Sequence, residues 1–280
     1  MRPSPSVMPD HAERFAADGV VVLRGFYDLE RDIEPVQRGI HAVIGEVMRR
    51  HGVEDRRPPF DPARFDAGFQ DLLATDRRWA AEVYDAVKQV PGFVRLIAHP
   101  ANEALVRALR PGCVPGIAGG GSGIRIDHPG EDRFRAHWHQ EYPAQLRSLD
   151  GVVFWSPLVP ITPELGPVVL CPGSHREGPL PVRSEPLGGR SGAYALRLDR
   201  EAELVGRYRQ EAPLLQPGDL AVMDFLLLHA SGHNRGARSR WSMQFRWFNF
   251  AESTGRAHGW SGSYAAGVDF RRIHPELCVE

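Results

Sequence analysis

"HWHQEYP", residues 137–143, spaces two histidines and a glutamate one residue apart, with Trp138 and Gln140 between them. Side chains alternate across an extended chain, so His137, His139 and Glu141 would share one face. Two ligand-type residues at i and i+2 can hold one ion from one strand, provided that a second strand supplies a third ligand. The motif therefore calls for a β core that brings distant segments together.

The flanking sequence has that texture. From about residue 112, short β-type runs are separated by Gly and Pro: "IRID" (124–127), "RFRAHWHQ" (133–140), "GVVFWSPL" (151–158), "GPVVLCPGSH" (166–175), "DLAVMDFLLLHA" (219–230) and "RWSMQFRWFNF" (240–250). Many short strands with turn signals indicate a sandwich or barrel. One stretch near 178–212 interrupts them and reads as an insertion or lid. It carries Arg183, Arg190, Arg197, Arg200, Arg207 and Arg209.

Upstream the period changes. "HAERFAADGVVVLRGFYD" reads as a short helix, a turn at Gly19 and a strand from Val20 to Arg24. Apolar residues recur at helical spacing before Gly52, in two further helices between residues 61 and 90, and in a short pair around Pro100. Pro3, Pro5 and Pro9 make residues 1–10 a loose start. The expected architecture is mainly β with flanking helices. About 10–110 form a helical support and about 112–250 the β core, within one domain of residues 1–280.

Composition narrows the function classes. A formal net charge of -1 gives no reason to expect nucleic acid or a membrane surface as partner. No run is long and apolar enough for a membrane span. Three scattered cysteines suggest neither a disulfide framework nor a zinc motif, which fits a cytoplasmic protein. What remains is an enzyme or binding protein for a small-molecule substrate.

The third ligand expected from the residues is His229, at the end of the apolar run 219–230. His139, Glu141 and His229 would make a 2-His-1-carboxylate face with three open positions, the arrangement of non-haem Fe(II) oxygenases. A 2-oxo acid commonly fills two of those positions and O2 the third. Its far carboxylate needs a cation, and Arg240, eleven residues after His229 across a turn, is placed to return beside the site. Ser231 could add a hydroxyl donor. On the strand from 240, Arg240, Ser242, Gln244 and Arg246 share one face. Trp241, Met243, Phe245 and Trp247 share the other, which suits a polar lumen with helices packed outside.

The sequence resembles the phytanoyl-CoA dioxygenase-like family of Fe(II)/2-oxoglutarate-dependent oxygenases. "FAADGVVVLRGFYD", "HWHQEY", "GPVVLCPGSHREG" and "HASGHNRGARSRWSMQFR" look like that family's segments, in order, with the His-to-Arg spacing kept. The resemblance implies a double-stranded β-helix (jelly-roll, cupin-like) core and the cofactors Fe(2+), 2-oxoglutarate and O2. It implies iron on His139, Glu141 and His229, and the cosubstrate carboxylate on Arg240 with Ser231 near it. Arg125, on a strand upstream of the metal motif, is a further candidate for cosubstrate or substrate contact. The implied reaction is hydroxylation of an unactivated C–H with release of succinate and CO2. One departure stands out: Glu141 occupies a position that the family usually fills with Asp, and its side chain is one methylene longer.

Competing readings remain. A cupin-like enzyme would use His137, His139 and His229 without 2-oxoglutarate. A non-catalytic jelly-roll module would bind a ligand only. His137 reads more simply as a polar residue beside the site, His175 as a structural histidine, and Trp155 as a core aromatic. Arg246 is balanced between an anion contact and a buried ion pair. Tyr142 and Gln145 are candidates to face substrate. The lid arginines make an anionic substrate one hypothesis and a solvated charged surface the other.

Overall fold

The computed structural model describes residues 9–184, 196–262 and 270–279. The Pro-rich start through residue 8 and the middle of the expected lid, including Arg190, lie outside them.

The helical support forms as the spacing predicts: α1 (Pro9–Asp18), α2 (Glu34–Arg50), α3 (Phe69–Thr75), α4 (Arg77–Ala86), α5 (Pro91–Ile97) and α6 (Pro100–Leu109). Pro91 and Pro100 each open a helix, where a missing N–H costs nothing and φ is already set. Between α1 and α2 lies β1 (Val20–Leu23). Gly19 makes the turn between α1 and β1 at φ +69°, and a Cβ there would lie 2.4 Å from the His175 ring. His175 itself meets the α1 carbonyl of Ala16 at 3.2 Å, so it ties the helical layer to the β core.

The β core follows: β2 (Pro115–Ile117), β3 (Gly123–Asp127), β4 (Gly151–Pro157), β5 (Val168–Leu170), β6 (Val182–Ser184), β7 (Leu196–Leu198), β8 (Leu220–Asp224), β9 (His229–Ser231), β10 (Arg240–Asn249) and β11 (Cys278–Val279). Among the described residues one antiparallel sheet runs β1-β8-β4-β10-β2, with β3 also paired to β10. A second, smaller layer pairs β5 with β9. The ends of the expected lid form a hairpin of β6 and β7, with β11 added in parallel.

Strand β10 joins the two halves of the chain. Its outward residues Trp241, Met243 and Phe245 are fully buried under the helices. Phe65 and Phe69 meet Trp241 edge-on at 5.6 and 5.0 Å, and Phe93 packs on Phe245 at 5.5 Å. The Trp241 indole N–H donates to Asp66 at 3.0 Å, which satisfies its one polar group. Its inward residues face the space between the two sheets.

The structure corrects two local expectations. "RFRAHWHQ" is not a strand. A short 3-10 turn covers Asp132–Phe134, His139 makes a single bridge to His229, and a helical turn, α7 (Tyr142–Gln145), follows. The run 219–230 is not one strand either. It ends as β8 at Asp224, turns at 225–228 and re-enters the smaller sheet as β9. The Asp224 carboxylate drives that break: it accepts the Leu226 N–H at 2.7 Å and an ion pair from Arg110. Four apolar residues then cross between layers, which hydropathy alone reads as a continuing strand.

Candidate metal centre

The bridge between His139 and His229 builds the centre. Their backbones exchange N–H···O bonds of 3.0 and 3.1 Å, so the two side chains project together and their rings lie 4.2 Å apart. Glu141 arrives from the same segment, just before α7. Ligand atoms of His139, Glu141 and His229 all lie within 4.8 Å of one another. Among the described residues this is the one group of three or more His, Cys, Asp or Glu so placed.

Both imidazoles are oriented for ligation. His139 Nδ1 lies 2.7 Å from the His137 carbonyl, and His229 Nδ1 lies 3.0 Å from the Leu227 carbonyl. A carbonyl only accepts, so each Nδ1 carries the proton and each Nε2 keeps its lone pair for a metal. Burial lowers the pKa of both rings, His139 to about 3, with His229 beside it adding to the effect. Both rings are therefore neutral at pH 7. The 3.9 Å approach of His229 Nε2 to Glu141 Oε2 is thus a pair of ligand atoms rather than an ion pair. Burial would raise the pKa of Glu141, but the charge and hydrogen bonds of the Arg246 guanidinium prevail and hold it well below the ordinary carboxylate value. A buried anion beside two neutral imidazoles is a donor set for a divalent cation.

The centre opens into a cavity of about 300 Å³ between the sheets. Val153 and Trp155 of β4, Gln244 and Arg246 of β10, Arg125 of β3, and Ser231 of β9 contribute to its wall. His137 also lines it but stands outside the three-ligand group. Gln145 lines it as expected, whereas Tyr142 is fully buried and its hydroxyl meets His274 Nε2 at 2.7 Å.

Arg246, at the cavity wall, is ion-paired with Glu141. Its Nε and Nη2 reach Glu141 Oε1 and Oε2 at 3.0 and 3.3 Å, its Nη2 also donates to Gln244 Oε1, and its Nη1 donates to the Gly121 carbonyl. Arg240 sits one layer behind the cavity wall, 1 % exposed. Its Nη2 donates to Ser231 Oγ at 3.1 Å and to Asp127 Oδ2 at 2.7 Å, and its Nη1 donates to the Gly166 carbonyl. Its Nε has no partner. Arg125 grips the same Asp127 at 2.8 Å. Burial opposes the charge on Asp127, but Arg125 and Arg240 prevail and hold its pKa near 2. Asp127 is the site residue that sequence reasoning missed. Part of its signal was in the sequence, since Arg125 and Asp127 are two apart on one strand and share a face; the register that sets Asp127 against Arg240 was not.

A family model described as phytanoyl-CoA dioxygenase matches residues 15–242. Among solved structures, the chain is similar to the epimerase SnoN in complex with Fe3+, alpha ketoglutarate and nogalamycin RO. The identity is 16%, the match covers 93% of this chain and 91% of that one, and the TM-score is 0.53. It is also similar to the non-heme alpha ketoglutarate dependent carbocyclase SnoK from nogalamycin biosynthesis, at 14% identity, 88% and 85% coverage and a TM-score of 0.55. A third is EctD from S. alaskensis with 2-oxoglutarate and 5-hydroxyectoine, at 19% identity, 90% and 79% coverage and a TM-score of 0.50. At these identities the likeness is one of fold. No curated protein matches the chain.

Proposed function

The chain belongs to the phytanoyl-CoA dioxygenase family, whose members use Fe(II), 2-oxoglutarate and O2, and on that footing we propose that it holds ferrous iron on His139, Glu141 and His229 and hydroxylates an unactivated C–H of an anionic small molecule. The observation that carries this reading is the convergence of one ligand atom from each of His139, Glu141 and His229 within 4.8 Å, with both Nδ1 atoms tied to carbonyls. When bound, iron and 2-oxoglutarate would activate O2: one oxygen atom ends in succinate as 2-oxoglutarate loses CO2, and the other oxidises the substrate. The protein's part is to hold the ligands on one face, neutralise the cosubstrate and exclude water.

Arg240 is the cation for the far carboxylate of 2-oxoglutarate, with Ser231 as its hydroxyl neighbour. The unpartnered Nε of Arg240 supports that role, since a buried guanidinium nitrogen favours an acceptor. Arg125 serves the same end of the cavity by sharing Asp127, so that carboxylate does not claim Arg240 alone. Charge supports an anionic substrate. Of the charged residues that line the cavity, Lys88, Arg125 and Arg246 are cationic and Glu141 is anionic. Fe(II) and a 2-oxoglutarate dianion would cancel, leaving a net positive wall for the substrate.

The test is anaerobic titration of the apoprotein with Fe(II) and then 2-oxoglutarate, following the weak visible charge-transfer band of a chelated 2-oxo acid. The band should form in wild type and be absent in Glu141→Ala. A band that survives Glu141→Ala would remove Glu141 from the ligand set. Epimerase and carbocyclase activities are named for structures of similar fold, so product mass decides the outcome: hydroxylation adds one oxygen atom to the substrate.

A further inference from the structure

Resting on the iron reading above, we infer that Arg246 and Gln145 form a clasp that fixes the Glu141 carboxylate for metal binding, with Oε2 turned toward His229. A glutamate side chain has more rotatable bonds than an aspartate, so more is needed to fix the direction of its carboxylate at a metal.

The hydrogen bonds around Glu141 are unequal. Oε1 accepts from Arg246 Nε at 3.0 Å and from Gln145 Nε2 at 3.1 Å. Two donors satisfy both in-plane lone pairs of that oxygen. Oε2 has one longer contact, 3.3 Å to Arg246 Nη2, and is the oxygen 3.9 Å from His229 Nε2. One lone pair of Oε2 is therefore left on the side of the imidazoles. Two-point contact with a planar guanidinium also fixes the carboxylate plane.

The clasp is itself held in place. Arg246 is anchored by the Gly121 carbonyl and Gln244. Gln145 is 5 % exposed and sits in the helical turn four residues after its acceptor, so backbone geometry sets its reach. Gly121 leaves room for it: a Cβ there would lie 2.6 Å from Gln145 Oε1. Arg246 and Gln145 are thus positioning residues, acting on the metal through Glu141.

The test uses charge-conserving variants, because removing the Arg246 charge would strand a buried anion and also change the field at the metal. Co(II) affinity is measured by calorimetry on metal-free wild type, Gln145→Leu and Arg246→Lys, and again with each change added to Glu141→Ala. Gln145→Leu and Arg246→Lys should each weaken Co(II) binding by about tenfold, as outer-shell losses do. Neither should weaken it further once Glu141 is Ala. A residue that merely supports the fold would act equally in both backgrounds, and equal losses there overturn the clasp. So does unchanged affinity in both single variants. If Glu141→Ala binds Co(II) as tightly as wild type, the iron site itself falls, and the clasp with it. Should Arg246→Lys fail to fold, Gln145→Leu, which removes only one neutral donor, decides the question.

Discussion

Arg240 has a carboxylate, a hydroxyl and a carbonyl as partners, and one bare nitrogen. If its function is to receive the cosubstrate, Arg240→Ala should raise the 2-oxoglutarate dissociation constant by about tenfold or more. That is the scale of one charge-assisted hydrogen bond of about 1.5–3 kcal/mol. Metal affinity, measured in the same anaerobic titration, should hold. His137 gives the opposite test. It lines the cavity outside the ligand group, so His137→Ala should bind metal as wild type does; loss of metal would favour the three-histidine alternative. Asp127 contributes to acid stability. Its folded pKa of about 2 lies below the unfolded value of about 3.9, so its stabilisation is present above about pH 4 and is lost as pH falls toward 2. Asp127→Asn should flatten that limb of the stability curve by about 2 kcal/mol, read from urea melts at a series of acid pH values.

Strand β10 was legible as an element because both of its faces have a chemical signature. Alternation put Trp241, Met243 and Phe245 on one side, and the helices cover that side. Trp241→Ala should therefore cost about 3–5 kcal/mol in urea unfolding, as expected when a filled core site is emptied, and it also leaves Asp66 without the indole donor. "HWHQEYP" was legible as a source of clustered ligand-type residues but not as an element. Alternation predicted a strand, whereas the segment makes one bridge and then a helical turn. The shared face survives because that bridge keeps His139 extended against His229, and Glu141 is brought in by the turn that follows. Residues 219–230 mislead for a related reason. Apolar residues that pass from one buried layer to another look the same as residues that continue a strand. Only the acceptor geometry of Asp224 marks the break.

At the scale of the molecule, His139, Glu141 and His229, the proposed ligands, lie between two sheets whose strands come from both ends of the chain. Metal binding should then stabilise the whole fold. At a hundredfold excess over the dissociation constant the gain is about 2.7 kcal/mol, so Co(II) should raise the melting temperature by about 5 °C or more. Glu141→Ala should lose most of that shift in a thermal scan. A positive cavity wall predicts in addition that turnover of an anionic substrate falls as salt rises, while that of a neutral analogue does not.

The sequence by itself determined the fold class, the helical layer before the β core, and the identity of the three ligand-type residues. These follow from periodicity, from residue chemistry and from the spacing of His229 and Arg240, all of which are local. Tertiary structure decided the rest. It set which carboxylate faces Arg240, because Asp127 meets it only through the pairing of β3 with β10. It also set Arg246 against Glu141, across 105 residues of chain. Long-range ion pairs depend on register and on the direction in which a side chain leaves a strand, and the order of residues fixes neither before the sheets are assembled.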